Sequence, residues 1–564
     1  MKRIWILLLL GILVKSGLSS DFKWKTYTSL FNINDLCYKN GIIWCATEGG
    51  IFAYDPSTQA VKEWTRQNGL ANNQVNCLVS DAEGIIWLGF DNGLLQKFNI
   101  QTFEFQTIFD YQGNSITCLN AVGDSLFVGL DLGLSLYIKS RQEVKETYKQ
   151  LGLDLQVELP VRDIVVEDNT IWTATEQGLA YSKLNNTNLL DPANWTNLFA
   201  ENGLPSSNIT GLIRYNTTIY VGTDKLLARK AGDTWENVKT DQHFRTSGVN
   251  DLSLNDTELY VLSGNGLYKL TDDRLIRIGR GFSNGISLTC TNTEIWTGTD
   301  RGLKFILQGM QDWDTFIPDC PQSNIFEDLT MDKKGNLWCA VKGGFSRFDG
   351  ESWQVYDKTN LPDMQSDDMR AVVVDDFNNK WLGSWGGGIV LLKNDSTFQF
   401  FNARNDYLGG ISENHDYAVV PDMTVDHNGA VWLLNYRSDE RTYLISAVND
   451  SSSGDFIWTY YNILQDSLPN CITEDFYGRK WIGTDNNGVF VIDDNNTPAI
   501  KSDDDFAGTL TKADGMESNE ITSLAADKNG GVWIGTKVGL YYYYNVLNPQ
   551  YQVQSLTSMR QSLS

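Results

Sequence analysis

One pattern of apolar and polar positions recurs twelve times along the chain. Its clearest copies, WTGTDRGL from Trp296 and WIGTKVGL from Trp533, read aromatic-x-Gly-Thr-x-x-Gly-Leu. Apolar and polar residues alternate around each copy, which is typical of short β-strands joined by tight turns. The other copies begin at Trp44, Trp87, Phe127, Trp172, Tyr220, Tyr260, Trp338, Trp381, Trp432 and Trp481. We therefore predict an all-β protein built from repeats.

The spacing of the repeats predicts the architecture. They lie about 44 residues apart, which leaves room for four short strands in each, the arrangement of a β-propeller blade. A ring holds about four to eight blades, so twelve blades require two tandem β-propellers. Six blades in each ring is the simplest division, and an incomplete pair of seven-bladed rings is the alternative.

On the simplest division, the chain separates into four segments. We predict a signal peptide at residues 1–20, a first propeller at 21–278, a second propeller at 279–546 and a C-terminal tail at 547–564. Residues 22–28 (FKWKTYT) resemble an outer strand without its own blade. We expect this segment to close one ring by pairing with late strands.

The residue types in the repeat have physical reasons. The aromatic side chain can fill the space between neighbouring blades, the first Gly allows close backbone approach, and the second Gly suits the positive φ of a turn. Cys77, Cys118 and Cys471 share one repeat position that small residues fill elsewhere. We expect them to be small buried side chains, and the disulfide state of the eight cysteines stays open.

Charge and the N-terminal pattern limit the partners and the location. Lys and Arg number 45 against 70 Asp and Glu, a formal net charge of −25, which disfavours binding to nucleic acid or to an anionic membrane surface. Lys2 and Arg3 precede an apolar stretch at residues 4–14, as in a secretory signal peptide. No later segment is apolar enough for a transmembrane helix. We predict an exported protein of the periplasm or cell surface.

Residues that could support catalysis are few. Gly281–Gly285 (GFSNG) matches the G-x-S-x-G pattern around a serine nucleophile, but it lies where other repeats have an inter-strand turn. His243, His415 and His427 lack the paired spacing of a metal site, and the Asp-rich segments 493–494 and 503–505 lack the alternation of a calcium loop. We interpret the histidines as loop residues and the acidic segments as solvated loops. We therefore predict no catalytic residue, no metal and no cofactor.

The most promising positions for ligand binding are the turns between the second and third strands of the blades. These turns and the loops between blades emerge on one face, where propellers commonly bind ligands. Trp385, in the lengthened segment SWGGG, either stacks on a sugar or packs between blades. The candidate residues are Asp91, Asn92, Glu176, Asp300, Arg301, Trp385, Asp485 and Asn486.

The repeat units resemble the two-component regulator propeller repeat, over about residues 22–545. The opening, with WKTY at 24–27 before IIWCATEGGIFAYD at 42–55, also resembles the double-propeller accessory proteins of type IX secretion, the PorZ type. That resemblance implies propellers that accompany a sortase and bind an anionic cell-surface glycan. The regulator repeat implies instead a periplasmic sensor that acts with a histidine kinase.

These observations favour a non-catalytic binding or scaffold protein over an enzyme. We expect it to recognise a glycan or a protein of the cell envelope, in a PorZ-like role. A ligand-sensing propeller of a two-component system is the first alternative. A propeller lyase or hydrolase is the second.

Overall fold

The structure is a computed structural model that describes residues 24–544, except 186–187, 241–243, 245–246, 283, 463 and 465–466, together with 554–555. The predicted signal peptide lies outside the described residues, and so do Ser283, His243 and the predicted tail apart from Gln554–Ser555. Among the described residues, no helix is both long and apolar enough to cross a bilayer.

The chain folds as twelve antiparallel four-stranded sheets, numbered here as blades 1 to 12, and one blade carries an additional short strand. Blades 1 and 2 are β1 Ile33–Lys39, β2 Ile42–Thr47, β3 Gly50–Tyr54, β4 Val61–Trp64, and β5 Val75–Ser80, β6 Ile85–Phe90, β7 Leu95–Asn99, β8 Glu104–Ile108. Blades 3 and 4 are β9 Ile116–Val122, β10 Ser125–Leu130, β11 Gly133–Ile138, β12 Glu143–Tyr148, and β13 Asp163–Glu167, β14 Thr170–Ala174, β15 Leu179–Lys183, β16 Thr196–Leu198. Blades 5 and 6 are β17 Ile209–Tyr215, β18 Thr218–Thr223, β19 Leu227–Ala231, β20 Thr234–Asn237, and β21 Asp251–Leu254, β22 Leu259–Ser263, β23 Gly266–Thr271, β24 Arg274–Ile278.

The later blades follow the same plan. Blades 7 and 8 are β25 Gly285–Cys290, β26 Glu294–Thr299, β27 Gly302–Leu307, β28 Asp314–Phe316, and β29 Phe326–Met331, β30 Leu337–Val341, β31 Gly344–Phe348, β32 Trp353–Tyr356. Blades 9 and 10 are β33 Met369–Val374, β34 Lys380–Gly386, β35 Gly388–Lys393, β36 Thr397–Phe401 with the additional β37 Ala418–Val419, and β38 Met423–Val425, β39 Val431–Leu434, β40 Leu444–Asn449, β41 Phe456–Tyr461. Blades 11 and 12 are β42 Pro469–Glu474, β43 Lys480–Thr484, β44 Val489–Asp493, β45 Asp505–Leu510, and β46 Ile521–Ala526, β47 Val532–Thr536, β48 Gly539–Tyr543, β49 Gln554–Ser555.

In the described part of the chain, helical structure is limited to single turns. The described 3₁₀ turns are Arg66–Asn68, Pro192–Asn194, Ala200–Asn202, Ala403–Asn405, Lys501–Asp503 and Lys512–Asp514. Several carry a capping box, as at Thr65, whose hydroxyl accepts a hydrogen bond from the backbone N–H of Gln67. Four of these turns follow the outer strand of a blade, whereas Pro192–Asn194 and Lys501–Asp503 precede it.

The aromatic residue that opens each repeat lies in the second strand of a blade, as predicted, and it packs against a neighbouring blade. The rings of Trp381 in blade 9 and Phe456 in blade 10 are 4.7 Å apart, centroid to centroid. Trp172 and Trp235 make the same kind of contact between blades 4 and 5, at 6.3 Å. The apolar core therefore lies between successive blades.

The first Gly of the repeat is required by close packing on the innermost strand. A Cβ on Gly89 would lie 2.6 Å from the sulfur of Cys77, a distance at which a neighbour must move. Cys77 and Cys471 are buried, while Cys118 is partly buried, so the expectation of small buried side chains holds for two of the three. Gly302, the second Gly of its repeat, has a φ of +91° and confirms the turn assignment there.

The blades divide into two compact units, residues 1–318 and 319–564. Unit 1 holds blades 1 to 7, and its ring closes because β1 of blade 1 packs against β25 of blade 7. Across this junction the Tyr54 and Trp296 rings lie 5.5 Å apart. The boundary predicted after residue 278 is therefore placed too early, since it would remove blade 7 from the ring that it completes.

Unit 2 contains the five described blades 8 to 12. Their innermost strands β29, β33, β38, β42 and β46 pack in that order. Leu329 on β29 is 53% exposed, whereas the corresponding Leu36 on β1 is 6% exposed. One side of blade 8 is thus open to solvent in the described part of the chain. The structure favours the seven-bladed alternative over the division into six and six.

The N-terminal segment does not form the predicted ring-closing strand. Residues 24–28 are described and contain no strand. Instead, the backbone N–H of Thr26 donates to Gln67 Oε1 at 2.8 Å, and the Thr28 hydroxyl donates to the Gly49 carbonyl at 2.6 Å. The segment therefore lies against blade 1 without joining its sheet, and the outer strand β4 of that blade comes from the same repeat as β1 to β3.

Candidate ligand-binding face

Each innermost strand begins at the edge of its blade that carries the turn between the second and third strands. Ile33, at the start of β1, pairs with Thr47, the last residue before that turn. The next side chain on the innermost strand often ties two blades together. Asn34 Nδ2 donates to the Val75 carbonyl at 2.8 Å, and Asn76 Nδ2 to the Ile116 carbonyl at 3.0 Å. This edge is the predicted binding face.

In unit 1 the predicted site residues lie on this face but remain separate. Asp91 in blade 2 accepts a hydrogen bond from the Ser115 hydroxyl at 3.1 Å. Glu176 in blade 4 forms an ion pair with Arg162 at 3.1 Å. Asn92 accepts from the Leu94 backbone N–H at 3.3 Å, and the Asp300–Arg301 turn belongs to blade 7. These residues thus belong to three different blades, 2, 4 and 7.

In unit 2 the structure brings Trp385 and Asp485 together through a residue that the sequence analysis missed. The rings of Trp385 in blade 9 and Tyr436 in blade 10 lie 5.4 Å apart at 38°. The Tyr436 hydroxyl donates to Asp485 Oδ2 at 3.4 Å, and Asn470 Nδ2 donates to Asp485 Oδ1. Asn486 accepts from the Leu468 backbone N–H at 3.3 Å. Three successive blades therefore contribute to one surface.

Arg370 adds a charged group to that surface. Its guanidinium lies 5.2 Å from the centre of the Trp385 ring, within the range of a cation–π contact. Arg370 also pairs with Asp368 at 3.0 Å and with Glu327 at 3.4 Å. We call Arg370, Trp385, Tyr436, Asn470 and Asp485 the Trp385 cluster.

Some hydrogen-bonding capacity in the Trp385 cluster is unused. Arg370 Nε and Asn470 Oδ1 are buried atoms with no hydrogen-bond partner among the described residues, and so is Oδ1 of the adjoining Asp368. Buried polar atoms are costly unless they are paired. An additional hydrogen-bond donor or acceptor that paired with these atoms would therefore stabilise the cluster.

A lengthened turn positions Trp385. The additional strand β37 pairs with Trp385 and Gly386, so Trp385 is held by backbone pairing from a second direction. Its backbone N–H donates to the Asp368 carbonyl at 2.8 Å, and its carbonyl accepts the Ser366 hydroxyl at 2.7 Å. The ring is partly exposed. Trp385 thus packs against the next blade and also presents aromatic surface to solvent.

The missed residues had different signals in the sequence. Arg370 occupies the first-strand position that Asn34, Asn76 and Asn470 occupy in other blades, so aligning the repeats by register would have found it. Tyr436 lies in WLLNYRS, the copy that departs most from the repeat. Its contact with Asp485 depends on the approach of two blades and has no local signal.

Electrostatics keep the Tyr436 hydroxyl protonated. Burial and, after it, the nearby Asp485 carboxylate raise the pKa of Tyr436 above its usual value. A protonated phenol can donate a hydrogen bond and accept one. The cluster therefore combines the Tyr436 hydroxyl, which can donate and accept, the Asp485 carboxylate, which accepts, and the aromatic face of Trp385.

The two described histidines, His415 and His427, contact separate carboxylates. His415 contacts Asp439, and His427 Nδ1 lies 2.7 Å from Glu474 Oε1. Asp494, expected in a solvated loop, is instead fully buried and pairs with Lys480 at 3.2 Å. In the described part of the chain, no three His, Cys, Asp or Glu side chains are grouped to hold a metal ion.

The fold and this face define the chain as a tandem β-propeller protein with a polar and aromatic surface on its second unit. Residues 43–196 match the family model described as the N-terminal β-propeller domain of PorZ in type IX secretion. Residues 515–537 match the two-component regulator propeller model. The resemblance predicted from the repeat units is confirmed. No curated protein matches the sequence.

A solved structure supports the same fold. PorZ from Porphyromonas gingivalis, described as an essential bacterial surface component of the type IX secretion system, aligns with a TM-score of 0.75 at 18% identity. The alignment covers 93% of this chain and 73% of PorZ. The extracellular domain of a protein assigned to a hybrid two-component system of B. thetaiotaomicron aligns at 18% identity over 94% of this chain and 73% of its own, with a TM-score of 0.41. The likeness to PorZ establishes a shared fold.

Proposed function

We propose that this protein is a non-catalytic, exported propeller protein that binds a glycan of the cell envelope through the Trp385 cluster, in a role like that of PorZ in type IX secretion. The main support for this proposal is that Trp385, Tyr436 and Asp485 lie together although they belong to three successive blades. The apolar face of a sugar ring stacks on an aromatic ring, and its hydroxyls donate to carboxylate and amide oxygens.

The match to the family model of the PorZ N-terminal propeller and the likeness to PorZ support the type IX secretion role. The match of residues 515–537 to the regulator repeat supports a second candidate, a ligand-sensing propeller that acts with a kinase. Both candidates require an exported chain, which the basic and apolar N-terminal sequence supports.

Site-specific cross-linking tests the proposed role. A photoreactive amino acid replaces Asn486, which is exposed beside the cluster, and, as a control, Phe476, which is 68% exposed in the hairpin between β42 and β43 at the opposite edge of the same blade. We expect adducts with envelope glycan, or with a secretion component that carries it, from position 486 only. A kinase adduct would favour the sensor. Equal labelling from both positions, or none, would contradict a binding role for this face.

A further inference from the structure

A separate cavity lies between blades 1 and 2 of unit 1, away from the turns of the binding face. Its volume is about 410 Å³. Its walls include the aromatic rings of Trp44, Trp64 and Phe103, and Lys39 and Lys62 contribute ammonium groups. The Trp64 and Phe103 rings lie 5.9 Å apart at 26°, nearly parallel.

The other blades show what is missing beside Trp44. In blade 2, the indole Nε1 of Trp87 donates to Asp81, the aspartate at the start of the hairpin between the first two strands, at 3.0 Å. Four further blades repeat this bond between a second-strand tryptophan and its hairpin aspartate, namely Trp338–Asp332, Trp381–Asp375, Trp432–Asp426 and Trp481–Asp475. A carboxylate is therefore the regular partner of this indole.

Blade 1 lacks that carboxylate because its hairpin is shorter. β1 and β2 are joined by Asn40 and Gly41 alone. Trp44 is 4% exposed, and its Nε1 is buried without a hydrogen-bond partner among the described residues. Asn40 and Trp44 both line the cavity. The shortened hairpin thus leaves an unpaired, buried donor on a residue that lines the cavity.

The charges around the cavity favour an anion at this donor. Lys62 Nζ lies 3.3 Å from the centre of the Phe103 ring, and no described carboxylate forms an ion pair with it. Lys39 Nζ donates to the Asp81 carbonyl at 2.8 Å. Asp55 also lines the cavity, but the hydroxyls of Ser57 and Thr58 already donate to its carboxylate oxygens.

We propose that this cavity binds a planar, apolar carboxylic acid. Its carboxylate accepts the Trp44 indole N–H in place of the absent hairpin aspartate, and Lys62 balances its charge. Its apolar body packs against Trp64 and Phe103. This site is independent of the Trp385 cluster, because its residues belong to unit 1.

Titration of the full chain with 2-naphthoate, followed by calorimetry, tests the site against the neutral isostere 2-naphthylmethanol. We expect 2-naphthoate to bind at least about tenfold more tightly than the alcohol, because a charged acceptor strengthens the bond to the indole. Trp44→Phe should lower the affinity for 2-naphthoate about tenfold. Trp481→Phe, whose indole is already paired with Asp475, should leave that affinity unchanged.

Two further variants keep the test decisive if Trp44→Phe folds poorly. Lys62→Gln should weaken 2-naphthoate several-fold without affecting the alcohol. Replacing residues 40–41 by the sequence of residues 81–84 supplies the missing aspartate and should abolish binding while the melting temperature is kept or raised. Equal affinities for acid and alcohol, undiminished binding to the hairpin replacement, or no binding of 2-naphthoate up to about 5 mM would overturn the proposal.

Discussion

Five aspartates, four on innermost strands and Asp422 just before one, act as links between neighbouring blades. Asp35 accepts the backbone N–H of Leu36 on its own strand and that of Leu78 in the next blade, each at 2.8 Å. Asp163, Asp251, Asp328 and Asp422 repeat the arrangement. Burial raises the pKa of Asp35 to about 7 and that of Asp163 to about 6, although the N–H donors oppose the shift.

These raised pKa values predict that unit 1 becomes more stable as the pH falls from about 8 to about 5. The folded chain binds a proton at Asp35 near pH 7, whereas the ordinary value of 3.8 applies when the chain unfolds. Between these values the folded state holds more protons, so each such group adds up to about 1.4 kcal/mol of stability per pH unit.

Thermal unfolding between pH 5 and pH 8.5 checks this sign. Asp35→Asn should reduce the rise in melting temperature toward low pH, because one of the titrating groups is removed. Asp124→Asn is the matched control in the same unit, since hydrogen bonds from the Ser140 hydroxyl and backbone N–H lower the pKa of that exposed carboxyl. A melting temperature that falls between pH 8 and pH 5 would show that the links titrate in the opposite sense.

At the same scale, the sequence revealed the candidate residues in the turns but not their connection. Asp485 is a candidate because it lies in the turn between the second and third strands of its blade, and Trp385 because it lies in the lengthened segment SWGGG. Tyr436 and Arg370 act through contacts with residues about 50 and 15 positions away along the chain. Sequence patterns describe single blades, whereas this face arises where blades meet.

At the scale of elements, close packing explains which parts of the repeat were predictable. A Cβ on Gly298 in blade 7 would lie 2.6 Å from Ile33 of blade 1, so the glycine is needed where the ring closes. The aromatic residue is present in all twelve repeats and located the second strand of each blade, and a glycine stands two residues after it in seven of them. The repeat therefore specifies the blade.

Elements that depend on distant partners were not predictable. Residues 24–28 have the composition of a strand, but β4 already occupies the outer position of blade 1. β37 has only two residues and exists because Trp385 and Gly386 offer an edge beyond the regular hairpin. The alternation of apolar and polar residues within a segment does not reveal whether a strand edge elsewhere in the fold is available to pair with it.

At the scale of the molecule, the number of blades in a ring was the least predictable feature. Each blade interface looks alike in sequence, and the closing contact joins β1 to β25 across more than 200 residues. The seven blades of unit 1 follow from that contact. The division into two rings of six blades was only the simplest way to divide twelve blades, and no residue in the sequence specified it.

The seven-bladed ring predicts how fragments of the chain behave. Residues 24–318 should fold cooperatively, because blade 7 covers the Tyr54 side of blade 1. Residues 24–278 should unfold at a lower temperature or aggregate, because that surface is then exposed. Circular dichroism and calorimetry of the two fragments measure the difference. Equal cooperativity and melting temperature would argue for a six-bladed ring.

The central claim is that unit 2 binds an envelope glycan through the Trp385 cluster, and a glycan array followed by titration of the best ligand tests it most directly. Trp385→Ala should weaken that ligand at least about tenfold, since stacking and its neighbouring hydrogen bonds are lost together. Phe476→Ala, which removes an exposed aromatic ring from the opposite edge of the same unit, should bind as the unaltered protein does. Unchanged affinity in Trp385→Ala, or no glycan bound by the unaltered protein, would contradict the account.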